Sequence, residues 1–297
     1  MRVTQPGFED AYVRVPGGRV WTRRCGGGAR APLITLHGGP GSPHDYLEPL
    51  AALGDEREVV FYDQLGCGRS DRPTDTSLWS IDRFVAELGA VVRTATRKPV
   101  HLLGHSWGAM LAVDYALAHP EDVASLILDS PCLSMRRVRR DMQRLRAALP
   151  PSVQRVLDSC EAAGNTDSGA YGAAAMVFYR RHVCRKTDWP EPLLRSQQNW
   201  AWPVYHTMWG PAEFTPIGNL ADYEREDGLR DLNRPVLYLC GRYDEITPEA
   251  TAAYHHQTPG SEFVVFEDSA HVQHLEEPEL YETVIRGFLA RAETVVQ

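Results

Sequence analysis

One five-residue run restricts the possible folds of this chain more than any other: Gly104-His105-Ser106-Trp107-Gly108. It follows the apolar run Val100–Leu103 and opens the helical segment Trp107–Ala118, which His119-Pro120 ends. A serine between glycines, placed between a buried strand and a helix, needs a sharp turn that lifts its hydroxyl above the end of a sheet. The glycines let chain segments approach closely in the bend. The positive end of the helix favours negative charge developing beside the serine. Ser106 is therefore a candidate nucleophile; the plain alternative is a structural serine.

The rest of the chain supplies the sheet that this turn requires. Ala11–Val15 and Gly18–Thr22 flank Pro16-Gly17 and read as a hairpin. Pro32–Leu36, Val59–Tyr62, Val100–Leu103 and Ala124–Leu128 are short apolar runs of the buried-strand type. Ile81–Thr96 carries apolar residues at helical spacing. Strands alternating with helices predict an α/β fold, a mostly parallel twisted sheet with helices on both faces. The rhythm stops near Pro131 and resumes with Val236–Cys240, Pro248–Gln257, Glu262–Phe266 and Pro278–Ala292. The intervening segment is too long for an ordinary loop. It includes an Arg-rich amphipathic stretch (Met135–Leu149), a Ser/Gly-rich loop (Asn165–Gly172) and the aromatic-rich Trp189–Trp209. The expected organisation is a core of residues 1–131 and 229–297, with an inserted helical cap of residues 132–228 over the strand ends.

Composition removes several function classes. With 31 basic and 39 acidic residues the net charge is −8, which argues against a nucleic-acid binder. No run is long and apolar enough for a membrane span, and the start MRVTQPGFEDAYVRV has no signal-peptide core. The expectation is a cytoplasmic protein, a monomer or small homo-oligomer, acting on a small molecule. The six cysteines are scattered, with no CxxC pair, so neither a zinc site nor a disulfide framework is expected and no cofactor is implied.

A serine nucleophile needs a base, and the base needs an orienting acid. His271 follows the last expected strand, and Asp244 follows Val236–Cys240, giving the chain order Ser, Asp, His that this kind of turn requires. His274 and Glu245 are local rivals for these two roles. His37-Gly38-Gly39-Pro40-Gly41 follows another strand, and its glycines can turn backbone N–H groups toward an oxyanion. The expected hole is the N–H of Gly39 with that of Trp107.

Together, LHGGPG (Leu36–Gly41), YDQLGCGRS (Tyr62–Ser70), GHSWGAMLA (Gly104–Ala112), GRYDEITP (Gly241–Pro248) and the Ser269-Ala270-His271 turn resemble the proline iminopeptidase family of α/β-hydrolases. Tyr205–Tyr223 resembles the cap of the tricorn-interacting aminopeptidase and amino-acid amidase subgroup. The resemblance implies hydrolysis of the amide bond after a free N-terminal residue, proline or another apolar one, through an acyl-enzyme. It also implies that Glu213, Glu245 and Tyr205 bind the substrate's amino group. An ammonium entering a partly dry site needs such anionic partners. Gln273 and His274 stand where the family often carries Met, and are expected to add polarity to one pocket wall. Trp107 is expected to border the acyl pocket, and Trp200, Trp202, Met208 and Trp209 are candidates to line it. Two alternatives remain. One is an ester, lactone or amide hydrolase of specialised metabolism that needs no free amine. The other is a hydrolase fold used only to bind a ligand.

Overall fold

The computed structural model describes residues 7–295. Residues 1–6, part of the segment read as lacking a signal-peptide core, lie outside that range. In chain order the elements begin with β1 (Glu9–Val15), β2 (Gly18–Cys25), β3 (Leu33–Leu36) and a 3₁₀ helix, His44–Asp55. They continue with β4 (Val59–Tyr62), α1 (Ile81–Ala95), β5 (Val100–His105), α2 (Trp107–Ala118) and β6 (Val123–Asp129). After the insertion come β7 (Val236–Gly241), a helix at Pro248–Gln257, β8 (Glu262–Phe266), a short turn of helix at Gln273–Glu276, and a closing helix at Pro278–Val295.

One eight-stranded sheet has the order β1-β2-β4-β3-β5-β6-β7-β8. The first hairpin and the β2–β4 pair are antiparallel. All pairs from β4 through β3, β5, β6 and β7 to β8 are parallel. Every residue of β3, β4, β5, β6 and β7 is buried, as strands covered on both faces must be. Two apolar layers sandwich the sheet. One contains Phe84, Leu88, Trp107 and Met110 from α1 and α2. The other contains Leu47, Leu50, Tyr281, Ile285 and Phe288 from the 3₁₀ helix and the closing helix. No helix among the described residues is long and apolar enough to cross a membrane.

Between β6 and β7 the chain forms helices α3 (Met135–Ala147), α4 (Pro151–Ala162), α5 (Gly169–His182), α6 (Glu191–Gln198) and α7 (Trp202–Met208). The stretch expected as a loop at Asn165–Gly172 is partly helical, because Ser168 caps α5 by accepting from Tyr171 N at 3.2 Å. The aromatic-rich stretch contains α6 and α7, each with Pro in its first turn. Two main-chain hydrogen bonds tie the end of α5 to the core: Glu245 N donates to His182 O (3.2 Å), and His271 N donates to Val183 O (3.0 Å).

Candidate active site

Ser106 sits at the carboxyl end of β5 with φ 56° and ψ −118°, a conformation that costs a non-glycine residue about 1–3 kcal/mol. The surroundings hold it there. Ser106 N donates to Asp129 O at 2.9 Å. A Cβ on Gly104 would lie 2.3 Å from Gly108 O, and one on Gly108 would lie 2.0 Å from Leu36 O. The bend therefore demands both glycines of the pentapeptide.

Asp244 and His271 arrive from the loops after β7 and β8. His271 Nδ1 donates to Asp244 Oδ1 at 2.8 Å. The acid is itself fixed: Ile246 N donates to Oδ1 (2.8 Å), and Ser130 Oγ (2.5 Å) and Gln273 Nε2 (3.1 Å) donate to Oδ2. Ser106 Oγ lies 3.9 Å from Cys132 Sγ. It lines one small cavity, of about 50 Å³, together with His271, Gly38, Gly39, Tyr46, Trp200 and Glu213.

Gly39 has φ 106°, open to glycine, and a Cβ there would meet Ser42 N at 2.7 Å. Gly38 O accepts from Ser42 N at 3.3 Å. A trans peptide then aims the Gly39 N–H the opposite way. Trp107 is the first residue of α2, and N–H groups in a first turn have no partner within the helix.

Two further carboxylates complete the site. Glu245 Oε1 lies 3.7 Å from His271 Nε2, and its Oε2 is buried with no hydrogen-bond partner among the described residues. Glu213, from the segment after α7, lines the cavity wall, and the buried Tyr205 is near enough for its hydroxyl to favour the ionised carboxyl. Burial pushes Glu213 up to about 7, although His271 and Tyr205 favour its ionised form. Burial and then the neighbouring charge of Glu213 raise Glu245 well above the usual carboxyl range. Burial alone would lower His271, but Asp244, Glu245 and Glu213 together push it up to about 10.

Several expected pocket residues lie elsewhere. Gln273 is fully buried and turned to Ser130, Asp244 and Ala270 O, away from the cavity. His274 Nε2 bonds Tyr46 O at 3.1 Å. Val272 takes the wall position instead. The alternation of a short helical turn at 273–276 sends these polar groups inward, where buried acceptors need donors. Trp107 is fully buried; its indole N–H bonds Gln64 Oε1 (2.8 Å) and its ring packs on Phe84. Of the four candidate cap residues only Trp200 lines the cavity. Met208 and Trp209 are buried in the core cluster, and Trp202 is 52% exposed. Sequence reasoning missed Tyr46, Gln64, Ser130 and the structural part of His105, since no residue pattern marks which polar groups a fold buries.

Residues 31–278 match the model of the alpha/beta hydrolase fold family. A proline iminopeptidase of Heyndrickxia coagulans is 46% identical over 286 residues, covering 95% of this chain and 99% of that one. The chain belongs to the proline iminopeptidase family of α/β-hydrolases. It is a hydrolase of the aminopeptidase kind. The crystal structure of the family's Mycobacterium smegmatis proline iminopeptidase superposes with a TM-score of 0.89 at 36% identity, over 97% of this chain and 100% of that one. That of VinJ superposes at 0.93 with 37% identity, over 97% and 99%. Esterases such as that of Exiguobacterium antarcticum, at 19% identity, share the fold alone.

Proposed function

We propose that this chain is a serine aminopeptidase that releases a free N-terminal apolar residue, proline foremost, from short peptides or amino-acid amides. One observation carries the reading. Glu213 and Glu245 converge beside His271, and Glu245 keeps an unpartnered buried oxygen. Three buried carboxyl groups, Asp244 included, face at most one cation, at His271, and a substrate α-ammonium is a group of the right charge to balance the rest. Relatives named proline iminopeptidase support the same substrate class.

In this mechanism the ammonium pairs with Glu213 and Glu245, Tyr205 holds Glu213, and the scissile carbonyl comes over Ser106. Ser106 Oγ bonds to the carbonyl carbon as its proton passes to His271 Nε2. Asp244 orients the imidazole and stabilises the imidazolium. The N–H groups of Gly39 and Trp107 receive the oxyanion, where loss of one donor costs about 10²–10³ in turnover. Collapse breaks the C–N bond, and the leaving amine takes the proton from His271. Water then attacks the acyl-enzyme by the same route, releasing the free residue and restoring Ser106.

The amine also prepares the base. With the site empty, three carboxyl groups favour a proton on His271, so at neutral pH only a minority of molecules hold a base free to accept one from Ser106. An ammonium between Glu213 and Glu245 offsets their charge and lets His271 lose that proton. Segment 132–228 acts here as a cap domain on the core formed by 1–131 and 229–297, contributing Val183, Leu193, Trp200 and Glu213 to the cavity. The six free thiols suit action in the reducing cytoplasm, as a monomer or small homo-oligomer.

The test is a matched set of rates on prolyl-, alanyl- and phenylalanyl-p-nitroanilides and their N-acetylated forms. Hydrolysis confined to the free amines is the expected result. Equal rates on both forms would mean that the Glu pair is structural and that a hydrolase needing no amine is the better description.

A further inference from the structure

A second network runs through the cavity wall, which Tyr46 and His105 both line, and takes no part in the chemistry above. Tyr46, near the start of the His44–Asp55 helix, is 2% exposed, and His105, beside the nucleophile, is 3% exposed. Gly38 N donates to Tyr46 Oη at 2.8 Å. Tyr46 Oη lies 2.8 Å from His105 Nδ1, and His105 Nε2 lies 2.7 Å from His271 O.

The polarity of this chain follows from counting protons. An amide N–H can only donate, so the Tyr46 oxygen accepts from Gly38. The one phenolic proton is then free for His105 Nδ1. That nitrogen must accept, so the ring proton sits on Nε2 and is given to the His271 carbonyl. Each link has one possible direction. Burial, with His271 and His274 nearby, keeps His105 neutral, as this tautomer requires.

Both ends of the chain belong to the reacting machinery. Gly38 precedes Gly39, whose N–H faces the oxyanion, and His271 carries the base. Ser106 lies between them in sequence contact with His105. Tyr46 is itself anchored elsewhere: its N–H donates to Ser196 Oγ (2.9 Å) in α6, and its carbonyl accepts from His274 (3.1 Å). We propose that Tyr46 and His105 are positioning residues, a one-way line of hydrogen bonds that holds the oxyanion loop and the base in fixed register across Ser106. This rests on the assignment of Ser106, His271 and Gly39 above.

The experiment measures two rates on folded protein, with thermal unfolding as the check on folding. One is labelling of Ser106 by a fluorophosphonate, which needs nucleophile, base and oxyanion hole but no amine. The other is kcat and KM on prolyl-p-nitroanilide. Tyr46→Phe should slow labelling and kcat at least about tenfold, since small misplacements of reacting groups cost about that much or more. KM should stay within about twofold, because amine binding is untouched. His105→Gln keeps an acceptor and a donor and should retain more activity than His105→Leu. The double variant Tyr46→Phe/His105→Leu should be no slower than the slower single, as links of one chain fail together. Labelling of Tyr46→Phe at the wild-type rate, or losses that multiply in the double variant, would overturn the proposal. If the wild-type protein labels but leaves the prolyl anilide intact, the amine reading fails, and slowed labelling of Tyr46→Phe still supports the relay. A wild-type protein that does not label even at pH 9, where His271 is partly neutral, removes the nucleophile and overturns both.

Discussion

Replacing Glu245 by Gln should move two activities in opposite directions. Its Oε1 lies 3.7 Å from His271 Nε2. At that distance a full carboxylate charge favours the imidazolium by about 4.5 kcal/mol at an effective dielectric constant of about 20, or about three pKa units as an upper bound. With His271 pushed up to about 10, only a small minority of molecules carry a neutral imidazole at pH 7.5. A fall of two to three units would raise that fraction about a hundredfold. Glu245 itself binds a proton part of the time, so a gain of about tenfold or more is the expected observable. The gain should appear on a substrate with no amine, for which cyclopentanecarbonyl-p-nitroanilide is the isostere of the prolyl compound. On the prolyl compound the same change unpairs a buried ammonium at a cost of about 3–5 kcal/mol, so kcat/KM should fall about 10²–10³-fold. The pH profiles carry the same sign. In the wild-type protein the isostere's rate should climb through pH 7 to 9, as a base near 10 loses its proton, while the prolyl rate levels off near neutrality. Equal slowing of both substrates by Glu245→Gln would refute the electrostatic argument and leave Glu245 a purely geometric part.

Three other outcomes are expected. Ser106→Ala should abolish hydrolysis with the unfolding temperature kept or raised, since the strained residue loses no fold-determining contact; substantial residual turnover would indicate another nucleophile. Binding of pyrrolidinium, followed by calorimetry in buffers of different ionisation enthalpy, should release protons near neutrality. Glu213 sits at about 7 when the site is empty and ionises when a cation arrives, so affinity is lost as pH falls through 7; an affinity flat from pH 6 to 8 would contradict this. Gly108→Ala drives a Cβ to 2.0 Å from the Leu36 carbonyl and should destabilise the protein by at least about 3 kcal/mol in denaturant titration; an alanine variant of native stability would show that the bend can relax.

The sheet was legible because its strands are short, apolar and bounded by turn residues; of the three residues singled out by chain order, Ser106 and His271 line one cavity and His271 bonds Asp244. His271 against Asp244, with Glu245 on the opposite nitrogen, separates the two rival acids by geometry that spacing alone does not contain. The helices of the insertion were harder to read. Their faces pack on one another and on the core, so α5 begins inside a Ser/Gly-rich stretch and α7 inside an aromatic one. Gln273 and His274 misled for a related reason. A polar residue beside a pocket in sequence faces it only if the local turn allows, and here buried acceptors at Asp244 and Tyr46 O claim both side chains.

The hydrogen bonds from Glu245 N to His182 O and from His271 N to Val183 O reach beyond packing. They make the end of α5 a structural member of both loops that carry the acid and the base. The insertion is therefore not an exchangeable module laid over a finished enzyme. Grafting another cap onto this core, to borrow a different substrate range, succeeds only if the donor reproduces two main-chain carbonyls at that junction.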